Sequence, residues 1–140
     1  PRWKIHAAHS LATIFPKARI SLETLSGQKE VKVTKDTVHQ EQAETNSYHI
    51  KRHTLRLLST LGDMIETSSE AGQSFNLPVL ILHGGNDVFS ETAAVQRFAK
   101  SLPHQEMITL KLYPESYHLL FHDHQSDQVI KDIAKWLKNM

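Results

Sequence analysis

Cysteine is absent from all 140 residues. Its absence excludes a disulfide framework and thiolate chemistry and fits a reducing compartment, so a cytoplasmic location is expected. Long apolar runs are missing too. No stretch is long enough to span a bilayer, and no charged-then-apolar leader opens the chain; a transmembrane segment is therefore not expected. Nor is there an excess of one charge: 16 Lys and Arg face 15 Asp and Glu, a formal +1. Surfaces that neutralise phosphates usually carry a clustered basic excess, so no nucleic-acid partner is expected. Internal repeats and low-complexity tracts are also lacking. The first residue is Pro1 rather than Met, so the chain is expected to begin inside a longer product.

What is present is organised around Leu77-Pro78-Val79-Leu80-Ile81-Leu82-His83-Gly84-Gly85-Asn86-Asp87. A short unbroken apolar run bounded by a proline and a Gly-Gly pair suits a strand buried on both faces, predicted over 77–83. Before it, Trp3, Ala7, Ala8, Leu11, Ile14 and Phe15 recur near a 3.6 period, predicting a helix over 3–15 that Pro16 stops. Residues 17–46 are polar and weakly patterned, an irregular connection with one short helix. From Ser47, Ile50, Thr54, Leu57, Leu58, Leu61, Met64 and Ile65 predict a long helix ending near Gly72. Lys51, Arg52 and Arg56 on its other side read as a solvated face.

After the strand, Ser90 is the expected N-cap of a helix carrying Ala94, Val95, Phe98, Ala99 and Leu102, ended by Pro103. Ile108, Leu110 and Leu112 alternate with Thr109 and Lys111, predicting a second strand over 107–113. Ser126 opens a last helix with Val129, Ile130, Ile133, Ala134 and Leu137 inward and lysines near its end. Strand, helix, strand over 77–113 makes an α/β unit with parallel strands and a right-handed crossover. The helical start and the α/β end suggest a division into residues 1–72 and 73–140.

Parallel neighbours put their C-terminal ends side by side. Asp87 leaves the first strand and Tyr113-Pro114-Glu115-Ser116-Tyr117-His118 leaves the second, so a carboxylate and an imidazole are expected to meet on one sheet edge, where open α/β sheets bind ligands. An acid on Nδ1 fixes the tautomer and leaves Nε2 as a base, two of the three parts of a nucleophilic triad. Alone, Asp87 reads as a helix cap and His118 as a loop histidine; it is the pairing that gives them chemistry. His83 reads as structural or as lining the edge of the site. His6, His9, His39, His49, His53 and His104 have no mutual metal spacing and read as surface or lid residues.

Pro78-Val-Leu-Ile-Leu-His-Gly-Gly-Asn-Asp87, Phe98, Lys111-Leu-Tyr-Pro-Glu-Ser-Tyr-His118 and Ile133-Ala-Lys-Trp-Leu137 together resemble the C-terminal part of serine α/β-hydrolases of the monoacylglycerol lipase and lysophospholipase type. Phe15-Pro16-Lys17, Thr34-Lys35-Asp36 and the helix after Ile50 resemble the lid region of that family. Two positions depart from its pattern: Ser116 stands where glycine is usual, and Leu119 where an acid often follows the histidine. The resemblance implies an α/β-hydrolase fold, with 1–72 a helical lid and 73–140 the C-terminal part of the core. It implies Asp87 and His118 as catalytic residues, no cofactor or metal, and hydrolysis of a lipid-like carboxylic ester. No Gly-x-Ser-x-Gly occurs in the chain; Leu25-Ser26-Gly27 and Gly72-Gln73-Ser74 lack the second glycine. The nucleophile is accordingly expected upstream of Pro1, in a missing N-terminal half, and the chain alone is expected to be inactive.

Two other readings stand beside this one. His118 and His122 are four apart, as in a helical zinc signature, but Leu119 occupies the place of the glutamate base and a third ligand is not evident. The chain could also be a non-catalytic module whose open sheet edges are covered by the missing half or by a homodimer mate.

Overall fold

A computed structural model describes residues 9–21, 23–24 and 31–140. The chain divides into two compact units, 1–31 with 48–71, and 32–47 with 72–140. One boundary of this division falls between Ala71 and Gly72. The division also groups the short polar stretch 32–47 with the C-terminal half.

In the first unit, residues 9–14 are helical and the helix stops before Pro16; Trp3, Ala7 and Ala8 of the predicted helix lie outside the described residues. Two three-residue strands follow, β1 (Arg19–Ser21) and β2 (Arg52–Thr54), paired antiparallel with Ile20 opposite His53. The long helix thus starts later than its apolar pattern suggests. Ile50 precedes β2 and Thr54 ends it, and α1 of this unit runs from Leu55 to Gly72. The ribbon explains the late start. The Leu55 and Arg56 amides, which a helix N-terminus leaves without intrahelical partners, donate to the Ala18 and Pro16 carbonyls at 2.9 and 3.3 Å. The Thr54 hydroxyl accepts from Leu57 N at 3.2 Å. Arg52 is not simply solvated: its guanidinium donates to the Arg19 carbonyl at 2.8 Å.

The second unit holds the parallel pair β3 (Val79–Gly84) and β4 (Ile108–Tyr113), with Val79 opposite Ile108 and Gly84 opposite Tyr113. α2 (Thr92–Ser101) connects them and α3 (Ser126–Lys138) follows. This is the strand–helix–strand unit that the apolar pattern predicts. Its N-cap differs from expectation: Glu91, not Ser90, occupies that position and makes no side-chain cap hydrogen bond, while the Ser90 amide donates to Asp87 Oδ1 at 3.2 Å. Burial is also less complete than on a doubly covered strand. Val79–Leu82 are half-buried and only His83 and Gly84 are fully enclosed. On α3, Val129 is completely buried and Ile133 half-buried, whereas Ile130, Ala134 and Leu137 are exposed, contrary to the expected inward face.

The polar stretch 32–47 carries a further helix (Thr37–Thr45), capped by Asp36, whose carboxylate accepts from the Val38 and His39 amides. No helix among the described residues is long and apolar enough to cross a membrane.

Candidate active site

The site is built where β3 and β4 end together. Beyond Gly84 the chain turns, with the Asp87 amide donating to the Gly84 carbonyl at 3.1 Å. Beyond Tyr113 the second loop turns at Ser116, whose amide donates to the Tyr113 carbonyl at 3.0 Å. The loops are stitched to each other: Gly85 N donates to Tyr113 O at 2.8 Å and Asn86 N to Ser116 O at 2.9 Å. Approach this close requires glycine. A Cβ at Gly84 would overlap the carbonyl oxygen of Tyr117 and lie 2.7 Å from that of Ser116, and one at Gly85 would lie 2.5 Å from that of Pro114.

This stitching brings Asp87 and His118 together. His118 Nδ1 lies 2.9 Å from Asp87 Oδ2 across 31 positions of sequence. An ionised carboxylate only accepts, so Nδ1 carries the hydrogen and Nε2 is the basic nitrogen. Asp87 Oδ1 accepts from the amides of Phe89 at 2.8 Å and Ser90 at 3.2 Å, which fixes the carboxylate plane. Burial pushes the Asp87 carboxyl up. The hydrogen bond from His118, those from Phe89 and Ser90 and the imidazole charge outweigh it, so Asp87 titrates below the ordinary 3.8. The acid's side chain is 7% exposed and the histidine's 43%. The Phe89 ring meets the His118 imidazole edge-on, centroids 4.9 Å apart. Among the described residues, His118 Nε2 has no hydrogen-bond partner.

His83 belongs to this site more closely than its sequence position suggests. It is buried at the end of β3, with Nδ1 3.8 Å from Asp87 Oδ2 and Nε2 3.1 Å from the Thr92 hydroxyl at the start of α2. Ser116, at the position where glycine is usual, is fully buried and donates its hydroxyl to Gln125 Oε1 at 2.8 Å, so the loop accommodates a side chain there. His122 does not join His118. Leu120–His122 is a 3-10 turn rather than an α-helix, and the His122 imidazole stacks on His39 at 4.5 Å. Among the described residues no group of three His, Cys, Asp or Glu is placed to hold a metal ion.

One residue that sequence reading passed over is Asp123, fully buried beneath the His118 loop. Its carboxylate accepts from Tyr117 N at 2.7 Å, His124 N at 2.9 Å, His124 Nδ1 at 3.0 Å and Lys35 N at 3.2 Å. Burial raises its carboxyl, and these donors outweigh the burial and hold it below 3.8. In sequence it is one polar residue in the run His122-Asp123-His124, and nothing local marks it.

Comparison with known proteins bears on the fold and the family. Crystal structures similar to this chain include a monoacylglycerol lipase of Paleococcus ferrophilus, at a TM-score of 0.80 and 20% identity, covering 98% of this chain and 52% of that one. A soluble variant of monoglyceride lipase from Saccharomyces cerevisiae, solved with a substrate analogue, aligns at 0.73 and 20% identity, covering 97% of this chain and 48% of that one. The chain thus spans about half the length of either lipase. The family described as serine aminopeptidase, S33, matches residues 1–125, and the chain belongs to this family of α/β-hydrolases.

Proposed function

We propose that this chain supplies the acid and the base of a Ser-Asp-His triad, and that the protein it belongs to hydrolyses a lipid-like carboxylic ester such as a monoacylglycerol or lysophospholipid. The reading is carried by the 2.9 Å bond between His118 Nδ1 and a buried, otherwise fixed Asp87, with Nε2 unpartnered among the described residues. A serine outside these 140 residues attacks the ester carbonyl and gives its proton to His118 Nε2. His118 passes that proton to the departing alcohol, leaving an acyl-serine. Water then attacks the acyl carbon, His118 takes its proton and returns it to the serine, and the carboxylic acid leaves. Asp87 holds the Nδ1–H tautomer throughout and stabilises the imidazolium in each half-reaction. The S33 family membership and the likeness to two lipase folds support this reading over a non-catalytic module.

The test is turnover of monoacylglycerol and lysophospholipid esters by the longer protein, with fluorophosphonate labelling of its serine. His118→Ala and Asp87→Asn are expected to abolish most turnover, and the 140-residue chain alone to take no label. Undiminished hydrolysis by both variants refutes the assignment.

A further inference from the structure

The backbone is held on both sides of His118, by an acid six residues beyond Tyr117 and by a carbonyl far away in sequence. Tyr117 N, just before it, donates to Asp123 Oδ2 at 2.7 Å, and Leu119 N, just after it, donates to the Val33 carbonyl at 3.0 Å. The other oxygen of Asp123 accepts from Lys35 N at 3.2 Å, so one carboxylate ties the histidine loop to the 33–36 segment. Between these ties lies Thr34, with no exposed surface. Its hydroxyl donates to the His122 carbonyl and accepts from Asp36 N at 2.9 Å, and its own carbonyl accepts from Gln40 Nε2 at 2.6 Å. A loop of this length would ordinarily wander over the sheet edge. Here its backbone donors are fixed by a buried acid and a strap that lie 88 residues apart.

We propose that Asp123 and Thr34 are positioning residues for His118: they form a clasp that sets the imidazole over the Asp87 carboxylate and in reach of the nucleophile. The clasp acts through main-chain atoms, without touching substrate or the reacting atoms. It rests on the triad reading above, and it assigns to the 33–36 segment a role in catalysis rather than in covering the site. An amide at position 123 presents one acceptor oxygen where two are used, and turns an NH2 toward either Tyr117 N or Lys35 N. Valine at position 34 keeps the shape of threonine and removes the hydroxyl from both of its bonds.

The experiment measures kcat and KM of the longer protein with a monoacylglycerol ester for wild type, Asp123→Asn, Thr34→Val, Thr34→Ser and His118→Ala. It also follows the downfield imidazole proton resonance of the His118–Asp87 bond. Displacing a catalytic group by about 1 Å costs roughly 100-fold. Asp123→Asn and Thr34→Val are therefore expected to lower kcat by about 10-fold or more with KM within about twofold, and to shift or broaden that resonance. Thr34→Ser, which keeps the hydroxyl, is expected to stay near wild type. If Asp123→Asn does not fold, the Thr34 pair decides alone. Wild-type kcat and an unchanged resonance in Asp123→Asn or, failing its folding, in Thr34→Val overturn the clasp even where His118→Ala is dead. Full activity in His118→Ala overturns the triad reading and the clasp with it.

Discussion

Two buried carboxylates, Asp87 and Asp123, do most of the organising at the scale of single residues. Each is taken from water and each is repaid by N–H donors, and in both cases the donors win: the carboxyl titrates below 3.8. A carboxyl with a depressed pKa in the folded chain binds fewer protons there than in the unfolded chain, so stability rises with pH through that window. Its contribution is present above the unfolded value and is lost as pH falls through the folded one. Melting temperature measured from pH 6 down to pH 2 is expected to fall steeply below about pH 4 for wild type. The fall should be shallower for Asp87→Asn and for Asp123→Asn, both already less stable at neutral pH. Parallel curves for all three proteins contradict this assignment of the acid limb.

The decisive step between secondary-structure elements is the close passage of the β3 turn under the histidine loop. Ala at Gly84 brings its methyl into the Tyr117 and Ser116 carbonyls, backbone atoms that cannot rotate away. Gly84→Ala is expected to destabilise by about 1–3 kcal/mol, as overpacking generally does. Because the displaced loop carries His118, hydrolysis should fall further than stability explains; denaturant midpoints beside kcat measure both. The end of β4 is fastened in another way. Buried Tyr113 donates its hydroxyl to Asp132 Oδ2 of α3 at 2.9 Å, and Lys111 Nζ lies 2.7 Å from Oδ1. Burial, and then the Asp132 hydrogen bond and charge, raise the tyrosine to about 12. The unfolded phenol ionises near 10, so this part of the stability is complete below pH 10 and is lost as pH rises through 12. Ultraviolet titration is expected to show one late-ionising tyrosine, absent in Tyr113→Phe.

The α/β half of this architecture is legible in sequence because its signals are local. Val79–Leu82 between Pro78 and a Gly pair, the alternation of Ile108, Leu110 and Leu112, and the apolar stripe of α2 each state their element within a few residues. Strand adjacency then puts Asp87 and His118 on one sheet edge. The β1–β2 ribbon is not legible. Arg19-Ile20-Ser21 and Arg52-His53-Thr54 are too short to show a period, and the pairing depends on partners 33 positions apart. Asp123 and Thr34 are hidden for the same reason: a polar residue is read as exposed until its distant donors are known.

At the scale of the whole molecule, the parallel sheet consists of β3 and β4 alone among the described residues, so each strand has one unpaired edge. α3 adds exposed apolar side chains, Ile130 at 54% and Leu137 at 58%. Open edges and exposed aliphatic surface favour association, by strand pairing or by apolar contact. The 140-residue chain alone is therefore expected to bind a hydrophobic dye and to sediment faster than a monomer. Ile130→Lys with Leu137→Lys should reduce both effects, since it puts charge on the exposed apolar side of the helix. In the proposed longer protein the same pair has the opposite expected sign. If added sheet and helices cover α3 there, two buried lysines would lower its melting temperature markedly, because an unpaired charge is costly to remove from water. Solubility gained by the short chain together with stability lost by the long one would locate α3 inside the complete fold. Stability unchanged in the long protein would place that helix on its surface, and a homodimer would then be the remaining candidate to cover it.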